Sequence, residues 1–167
     1  MWLQSSKFYR FMIFITETVI DSLIEKYETE ESYMNDFAIL VSEQKDLNAF
    51  LDQENYSLLT KEEMALLEYL ACIIYISCKS SITKVPLITG KMLEKWEEEN
   101  WDAFNESNNK NFAKVLDKFF DGYKQEDLLA LVEDSIQVEE DSVVTSVGGE
   151  IIFVACKSII DTIHQLN

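Results

Sequence analysis

Few residues in this sequence could act in catalysis or bind a metal, and their spacing does not predict a site. The single histidine is His164, and the three cysteines are Cys72, Cys78 and Cys156. A Cys–His or Ser–His pair would need His164, but on a shared helix Cys156 would lie about 12 Å away along the axis. One histidine and three scattered cysteines do not supply the ligands of a structural zinc site. The sequence therefore predicts no catalytic residue, no metal ligand and no cofactor.

Acidic residues are abundant, but their spacing does not predict a cation site or an acid–base pair. Glu139–Ser142 is rich in carboxylates and lacks the loop pattern of an EF-hand. Gly148-Gly149 is followed by Glu150, whose charge would repel a phosphate. Glu94, Glu97 and Glu98 fall on the solvent face of a predicted helix, and catalytic carboxylates need burial to separate their pKa values. We interpret these acids as solvated surface.

The stretch Trp96–Trp101, which reads W-E-E-E-N-W, is the strongest candidate for a binding site. Tryptophan is enriched in interface hot spots, and adjacent carboxylates can receive Lys or Arg from a partner. The two tryptophans are separated by about 140° around a helix, so they cannot share a narrow core stripe. We expect one of them to be partly exposed, and we predict that Trp96, Glu97, Glu98 and Trp101 bind a partner. The alternative is that both pack within the fold.

The net charge of -17, from 31 acidic and 14 basic residues, limits the partners that the protein can have. Nucleic-acid binding relies on neutralised phosphates, so we expect no nucleic-acid partner. An anionic membrane surface is disfavoured for the same reason. A basic protein partner fits the charge and would be attracted at long range. Two further readings stay open, namely acidity that only keeps the protein soluble and assembly into a homo-oligomer.

Composition favours a single all-α domain over residues 1–167. Apolar residues make up 47% of the chain, which is enough for a substantial core, and only four glycines and one proline are present. Unpaired cysteines in apolar runs are typical of a reducing compartment. The run Phe11–Ile15 is shorter than the core of a signal peptide, and no stretch approaches about 18 uncharged apolar residues. We therefore expect a cytoplasmic protein with no membrane span.

Hydrophobic periodicity and capping residues predict seven or eight helices. The clearest local signal is Thr60–Glu63, T-K-E-E, which has the pattern of a capping box. Gly122 has the position and type of a helix terminator. Asp46 is predicted to cap a short helix, and Ser107 to cap a later one. The expected helices are Ser6–Tyr27, Ser32–Ser42, a short one after Asp46, Lys61–Ser81, 89–104, Asn108–Phe120, Gln125–Ile136 and a last one from Thr145 or Ser146 to Leu166.

A ten-residue stretch occurs twice. Ile73–Ile82 and Ile151–Ile160 share six of ten residues, and two weaker matches precede them in the same order. We interpret this as two tandem four-helix pseudo-repeats that share one core, about 6–84 and 88–167, with the seam at Pro86. Chance similarity between amphipathic helices is the alternative. Lys79 and Lys157 recur in the stretch and are predicted to lie on the polar edge of their helices.

By elimination, the sequence favours a non-enzymatic protein–protein interaction module that is acidic. One specific form is an immunity-type inhibitor of a basic toxin or nuclease. Another class is an enzyme or small-ligand binder with a site between the halves, built from side chains such as Glu68, Tyr75 or Lys79. A third is an acidic surface that mimics nucleic acid. A contiguous acidic face would favour the inhibitor, and a deep cleft with convergent polar groups would favour the enzyme.

Overall fold

The computed structural model describes residues 13–52, 54–82, 84–107 and 110–165. Within these ranges the protein forms eight α-helices, one short 3₁₀ helix and no β-strand, which confirms the all-α prediction. The helices are α1 (Glu17–Lys26), α2 (Glu30–Glu43), α3 (Lys45–Leu51), α4 (Lys61–Ser81), α5 (Gly90–Glu106), α6 (Phe112–Phe120), α7 (Glu126–Ser135) and α8 (Ser146–Gln165), and the 3₁₀ helix is Glu54–Leu58. We refer to α1–α4 as the first half and to α5–α8 as the second half.

The two longest helices, α4 and α8, pack against each other at the centre of the fold. Nearly every residue from Leu70 to Cys78 is buried, and so is every residue from Ile151 to Ile163. Each of these helices carries one copy of the repeated stretch. The apolar faces of the surrounding helices close over them, which is the arrangement expected for helices that are apolar on most sides.

All three cysteines are free thiols buried in these two helices. Burial raises the pKa of Cys72 to about 11 and that of Cys78 to about 12, and burial also raises the pKa of Cys156. A thiol that stays protonated is a poor nucleophile and a poor metal ligand. The cysteines therefore serve as small apolar side chains of the core.

By length and mean hydropathy alone, α4 could cross a membrane, and 56% of that stretch is buried inside the fold. Core helices of water-soluble proteins share these two properties, so length and hydropathy do not separate the two cases.

One carboxylate joins the starts of α4 and α8. Glu63 accepts a hydrogen bond from the backbone N–H of Thr60 (2.8 Å), and its own N–H donates to Thr60 Oγ1, which confirms the predicted capping box. Glu63 also accepts from the N–H and the hydroxyl of Thr145, both at 2.7 Å. A Cβ on Gly148 would collide with the Glu63 carboxylate, so a larger residue there would displace this carboxylate from its hydrogen bonds. Burial acts to raise the pKa of Glu63, but these hydrogen bonds outweigh it and the pKa is lowered.

Gln44 and Asp46, at the start of α3, bind the segment that leads into α5. Gln44 accepts from the N–H of Ile88 (2.9 Å) through its side-chain oxygen and donates to the carbonyl of Pro86 (3.1 Å). Asp46 accepts from the N–H of Gly90 (2.9 Å), the first residue of α5. The prediction that Asp46 caps its own helix is therefore wrong, because this carboxylate lies inside α3 and caps a helix of the other half.

Gln125 and Asp127, at the start of α7, bind the segment that leads into α1. Gln125 accepts from the N–H of Ile15 (3.0 Å) through its side-chain oxygen and donates to the carbonyl of Ile13 (2.7 Å). Asp127 accepts from the N–H of Glu17 (2.9 Å), the first residue of α1. We call each Gln-x-Asp set with its three backbone contacts a latch. The first latch holds the start of the second half, and the second latch holds the start of the first half.

Two helices begin later than the sequence predicted. The helix expected from Ser6 begins at Glu17, and residues 13–16 are not helical because the latch of α7 binds their backbone. The earlier part of that prediction lies outside the described residues. The helix expected from Asn108 begins at Phe112, where Asn111 rather than Ser107 supplies the cap.

Candidate functional site

The structure divides the predicted partner-binding stretch between two regions. Glu97 and Trp101, one turn apart on α5, line the same surface groove. Trp96 lines a separate cavity near the end of α8. Glu98 is exposed and lines neither region. Both tryptophans are half-buried, whereas the sequence led us to expect partial exposure of one.

The groove lies between the 3₁₀ helix, α5 and α8, and has a volume of about 580 Å³. Among the residues that the structure describes, its lining contains three carboxylates and no lysine, arginine or histidine. The lining residues are Glu54, Tyr56, Ser57, Leu58, Glu97, Trp101, Val147, Glu150 and Ile151.

The apolar part of the groove includes side chains that are unusually open to solvent. Leu58 is 73% exposed and Val147 is 58% exposed, although both are large and apolar. Trp101 packs against the core and makes an edge contact with Phe104 at 5.7 Å between ring centroids. Adjacent exposed apolar side chains with a polar rim are typical of interaction surfaces.

Two of the three groove carboxyls are partly buried, and the expectation that Glu97 lies on the solvent face is therefore wrong. Burial raises the pKa of Glu97, the charge of Glu94 acts in the same direction, and a hydrogen bond from the hydroxyl of Tyr56 (3.0 Å) opposes both. Burial also raises the pKa of Glu150. A carboxylate that has lost hydration without gaining a cation is favourably placed to bind one.

Sequence reasoning missed most of this groove. Tyr56, Leu58, Val147 and Glu150 belong to segments that are distant in the chain from Trp96–Trp101. Nothing in their local spacing indicates that they meet α5. The only signal that the sequence offered was the aromatic–acidic pattern on α5 itself.

Trp96 and His164 both line this second cavity, and each has a buried ring nitrogen without a hydrogen-bond partner in the described part of the chain, Nε1 and Nε2 respectively. Its volume is about 220 Å³. A buried polar group without a partner costs roughly 1–3 kcal/mol. The lining residues are Trp96, Gly122, Tyr123, Lys124, Gln125, Asp161, His164 and Gln165.

The protonation of His164 follows from its neighbour Gln125. The side-chain oxygen of Gln125 accepts from Ile15, so its nitrogen faces Nδ1 of His164 at 3.3 Å. An amide nitrogen only donates, so Nδ1 accepts and Nε2 carries the proton. Burial lowers the pKa of His164 to about 4, which keeps the ring neutral near pH 7.

Next to this cavity, Lys157 and Asp161 form a buried ion pair at 2.7 Å. Asn100 accepts from Lys157 (3.1 Å) and donates to Asp161 (3.0 Å), and the hydroxyl of Tyr123 donates to Asp161 (2.8 Å). The Lys157 ammonium also lies 4.7 Å from the centroid of the Tyr123 ring. The prediction that Lys157 lies on a polar edge is wrong, because these partners let α8 bury the charge.

The corresponding lysine of α4 remains at the surface. Lys79 donates to both carboxylate oxygens of Glu43 (2.8 and 2.9 Å), and Tyr75 donates to the same carboxylate (2.7 Å). The hydrogen bonds from Lys79, and next the one from Tyr75, lower the pKa of Glu43. This set borders a pocket of about 320 Å³. Glu68, which the sequence suggested beside Tyr75 and Lys79, does not line that pocket.

Among the residues that the structure describes, no three His, Cys, Asp or Glu side chains are grouped closely enough to hold a metal ion. No family model, no curated protein and no solved structure matches the chain. Geometry and electrostatics are therefore the basis on which a function can be proposed.

Proposed function

We propose that this protein is a non-enzymatic interaction module that binds a basic segment of a partner protein in the groove between the 3₁₀ helix, α5 and α8. The observation that carries the proposal is the combination of exposed apolar side chains, Leu58 and Val147, with carboxyls whose pKa values are raised by burial, Glu97 and Glu150. An acidic inhibitor of a basic toxin or nuclease is one form of this function.

The size of the groove limits what it can receive. About 580 Å³ accommodates a few side chains rather than a folded domain. A helical or extended segment with one large apolar residue and flanking Lys or Arg matches the lining. The apolar residue would contact Leu58 and Val147, and the cations would reach Glu97 and Glu150. The net charge of -17 would speed the encounter at low salt.

Binding should depend on pH in a defined direction. A bound cation favours the ionised form of Glu97 and Glu150, so it lowers pKa values that burial raises in the free protein. Binding therefore releases protons at any pH at which these carboxyls are partly protonated in the free protein. Affinity should fall as the pH is lowered through their raised pKa values.

The test uses a synthetic amphipathic peptide of leucine and lysine, titrated calorimetrically into the protein. The groove variant carries Glu97→Gln and Glu150→Gln. The control carries Glu28→Gln and Glu30→Gln, two exposed acids outside the groove lining, and has the same net charge. We expect the groove variant to bind about tenfold more weakly, which corresponds to roughly 1.4 kcal/mol, and the control to change less than about twofold.

Equal weakening in both variants would mean that the peptide responds to net charge alone, and the proposed site would be rejected. Leu58→Ser tests the apolar contribution separately. Its side chain is 73% exposed, so the substitution should leave stability nearly unchanged while reducing affinity. Unchanged affinity would contradict the apolar part of the proposal.

A second candidate function is binding of a small carboxylate in the cavity of Trp96 and His164. It is supported by Trp96 and His164, which line one cavity and each carry a buried N–H donor that has no partner among the described residues. Benzoate is a suitable probe, and Trp96→Phe identifies the indole N–H resonance of Trp96 by NMR. A saturable shift of that resonance supports the site, and the absence of a shift at tens of millimolar benzoate rejects it.

A further inference from the structure

We infer that the chain consists of two copies of one four-helix unit, α1–α4 and α5–α8, and that each copy holds the first helix of the other. An unfused form of such a unit would be a symmetric dimer, and the surface between the halves would be its interface. This inference is independent of the proposed function, because none of its contacts involves the acidic groove.

The segments that precede α1 and α5 correspond in sequence and burial. Ile13–Thr16 reads I-F-I-T and Pro86–Thr89 reads P-L-I-T, at an offset of 73 residues. The third residue is buried in both segments, with exposures of 1% and 0%, and the second is exposed in both. The threonine is the N-cap residue of the following helix in both cases. A chance similarity between two apolar sequences would not explain why the same positions are buried in both.

The segments that carry the latches correspond as well. Gln44–Leu51 reads Q-K-D-L-N-A-F-L and Gln125–Val132 reads Q-E-D-L-L-A-L-V, with four identical residues in eight. Leu47 and Leu128, at the fourth position, are both fully buried. The Gln and Asp that the two segments share are the two residues that make the latch contacts.

The hydrogen bonds follow one rule in both latches. In each latch the glutamine donates to one backbone carbonyl and accepts from the N–H two residues later, and the aspartate accepts from the N–H two residues after that. The three backbone groups belong to residues 86, 88 and 90 in the first latch and to residues 13, 15 and 17 in the second. These six contacts are reciprocal, since the first half binds the start of the second and the second half binds the start of the first. Reciprocal contacts define the interface of a twofold dimer.

The repeated stretch occupies the position expected at such an axis. Its two copies lie on α4 and α8, which pack against each other. Tyr75 and Phe153, which occupy the same place in the two copies, are both almost completely buried. A helix that lies beside a twofold axis contacts its own equivalent, and α4 and α8 have this relation.

The inference is tested by exchanging residues 13–20 with residues 86–93 in the full chain. The buried positions keep apolar residues of similar size, because Ile15 matches Ile88 and Ile20 matches Leu93. In the control the same two positions receive segments shifted by one residue, 87–94 and 14–21, which puts Glu94 in the buried place of Ile20. Both variants are followed by thermal unfolding with circular dichroism.

We expect the exchange in register to unfold cooperatively with a melting temperature within about 10 °C of the parent protein. The shifted exchange should lose the cooperative transition, because it buries a charge and exposes an apolar side chain. Loss of cooperativity in both variants would overturn the inference, since equivalent segments must be interchangeable. Equal stability of the two variants would also overturn it, because the register would then carry no information.

Discussion

Lys79 and Lys157 occupy the same position in the repeated stretch, and the fold treats them differently. Each ammonium binds a carboxylate that also accepts a hydrogen bond from a tyrosine hydroxyl. In the first half, the side chains of Lys79 and Glu43 are 40% and 41% exposed. In the second half, those of Lys157 and Asp161 are 10% and 9% exposed. The same lysine therefore belongs to the surface in one half and to the interior in the other.

The difference shows that lysines at the same position of the repeated stretch can have partners from different parts of the chain. Glu43 comes from the end of α2, whereas Asp161 lies on α8 itself, one turn after Lys157. In the second half, Asn100 of α5 makes a hydrogen bond with each of the two charged groups. Removing one partner of an ion pair destabilises a protein little at the surface and strongly in the interior. The free energy of unfolding should therefore fall much more when Lys157 is removed than when Lys79 is removed.

The largest expected effect is that of Lys157→Ala compared with Lys79→Ala. Removing Lys157 leaves Asp161 buried without its cation, and we expect a loss of about 3–5 kcal/mol. Removing Lys79 breaks a surface pair that contributes less than about 1 kcal/mol. Urea unfolding at pH 7 measures both losses. Similar losses would show that Lys157 is solvated in solution.

A smaller effect is expected at Glu63. Glu63→Gln places an amide against N–H donors and should lower the free energy of unfolding by about 1–3 kcal/mol at pH 7. The two copies of the repeated stretch are 78 residues apart, and at this offset the counterpart of Glu63 is Asp141, which is exposed. Asp141→Asn should change stability by less than about 0.5 kcal/mol. Urea unfolding of the two variants at pH 7 measures both changes.

The Glu63 variant also has a distinctive pH dependence. The pKa of Glu63 is lowered in the folded protein, so its stabilisation is complete above the pKa of the unfolded chain and is lost as the pH falls through the folded pKa. The stability difference between the parent protein and Glu63→Gln should therefore shrink in acid. A difference that stays constant from pH 7 into that range would show that the Glu63 carboxylate is not ionised in the fold.

The smallest effects are expected at the two aspartates of the latches. Asp46→Ala and Asp127→Ala each remove a carboxylate that accepts from the first N–H of a helix in the other half, so each should cost about 1 kcal/mol. Chemical denaturation measures the loss in free energy of unfolding for each variant. We expect the two losses to be equal, because the two latches make the same contacts. A cost at one aspartate and none at the other would mean that only one latch contributes to stability.

Local signals made part of the fold predictable from the sequence. The bounds of α4, Lys61–Ser81, and its capping box were predicted correctly, because a cap and an apolar run are encoded by adjacent residues. Gly122 ends α6 with a positive φ of 68°, as its position after an amphipathic run indicated. These features need no information about distant residues.

The groove proposed to bind a partner and the contacts between the halves were not predictable in this way. Asp46 has the local pattern of a cap for its own helix, yet the N–H that it binds belongs to Gly90. Lys157 has the pattern of a polar edge, yet Asn100 makes its burial possible. The groove combines Glu97 with Leu58 and Glu150, which only tertiary packing brings together. In each case the deciding partner is far away in the chain.

Hydrogen exchange at the amides of Ile15 and Ile88 tests most directly whether the two halves hold each other. Both amides donate to a latch glutamine, so both should be protected in the parent protein. Gln125→Ala should speed exchange at Ile15 and leave Ile88 protected, and Gln44→Ala should do the reverse. Two results would contradict the reciprocal arrangement. One is exchange that speeds up only within the half that carries the substitution, and the other is a lack of protection at the Ile15 and Ile88 amides of the parent protein.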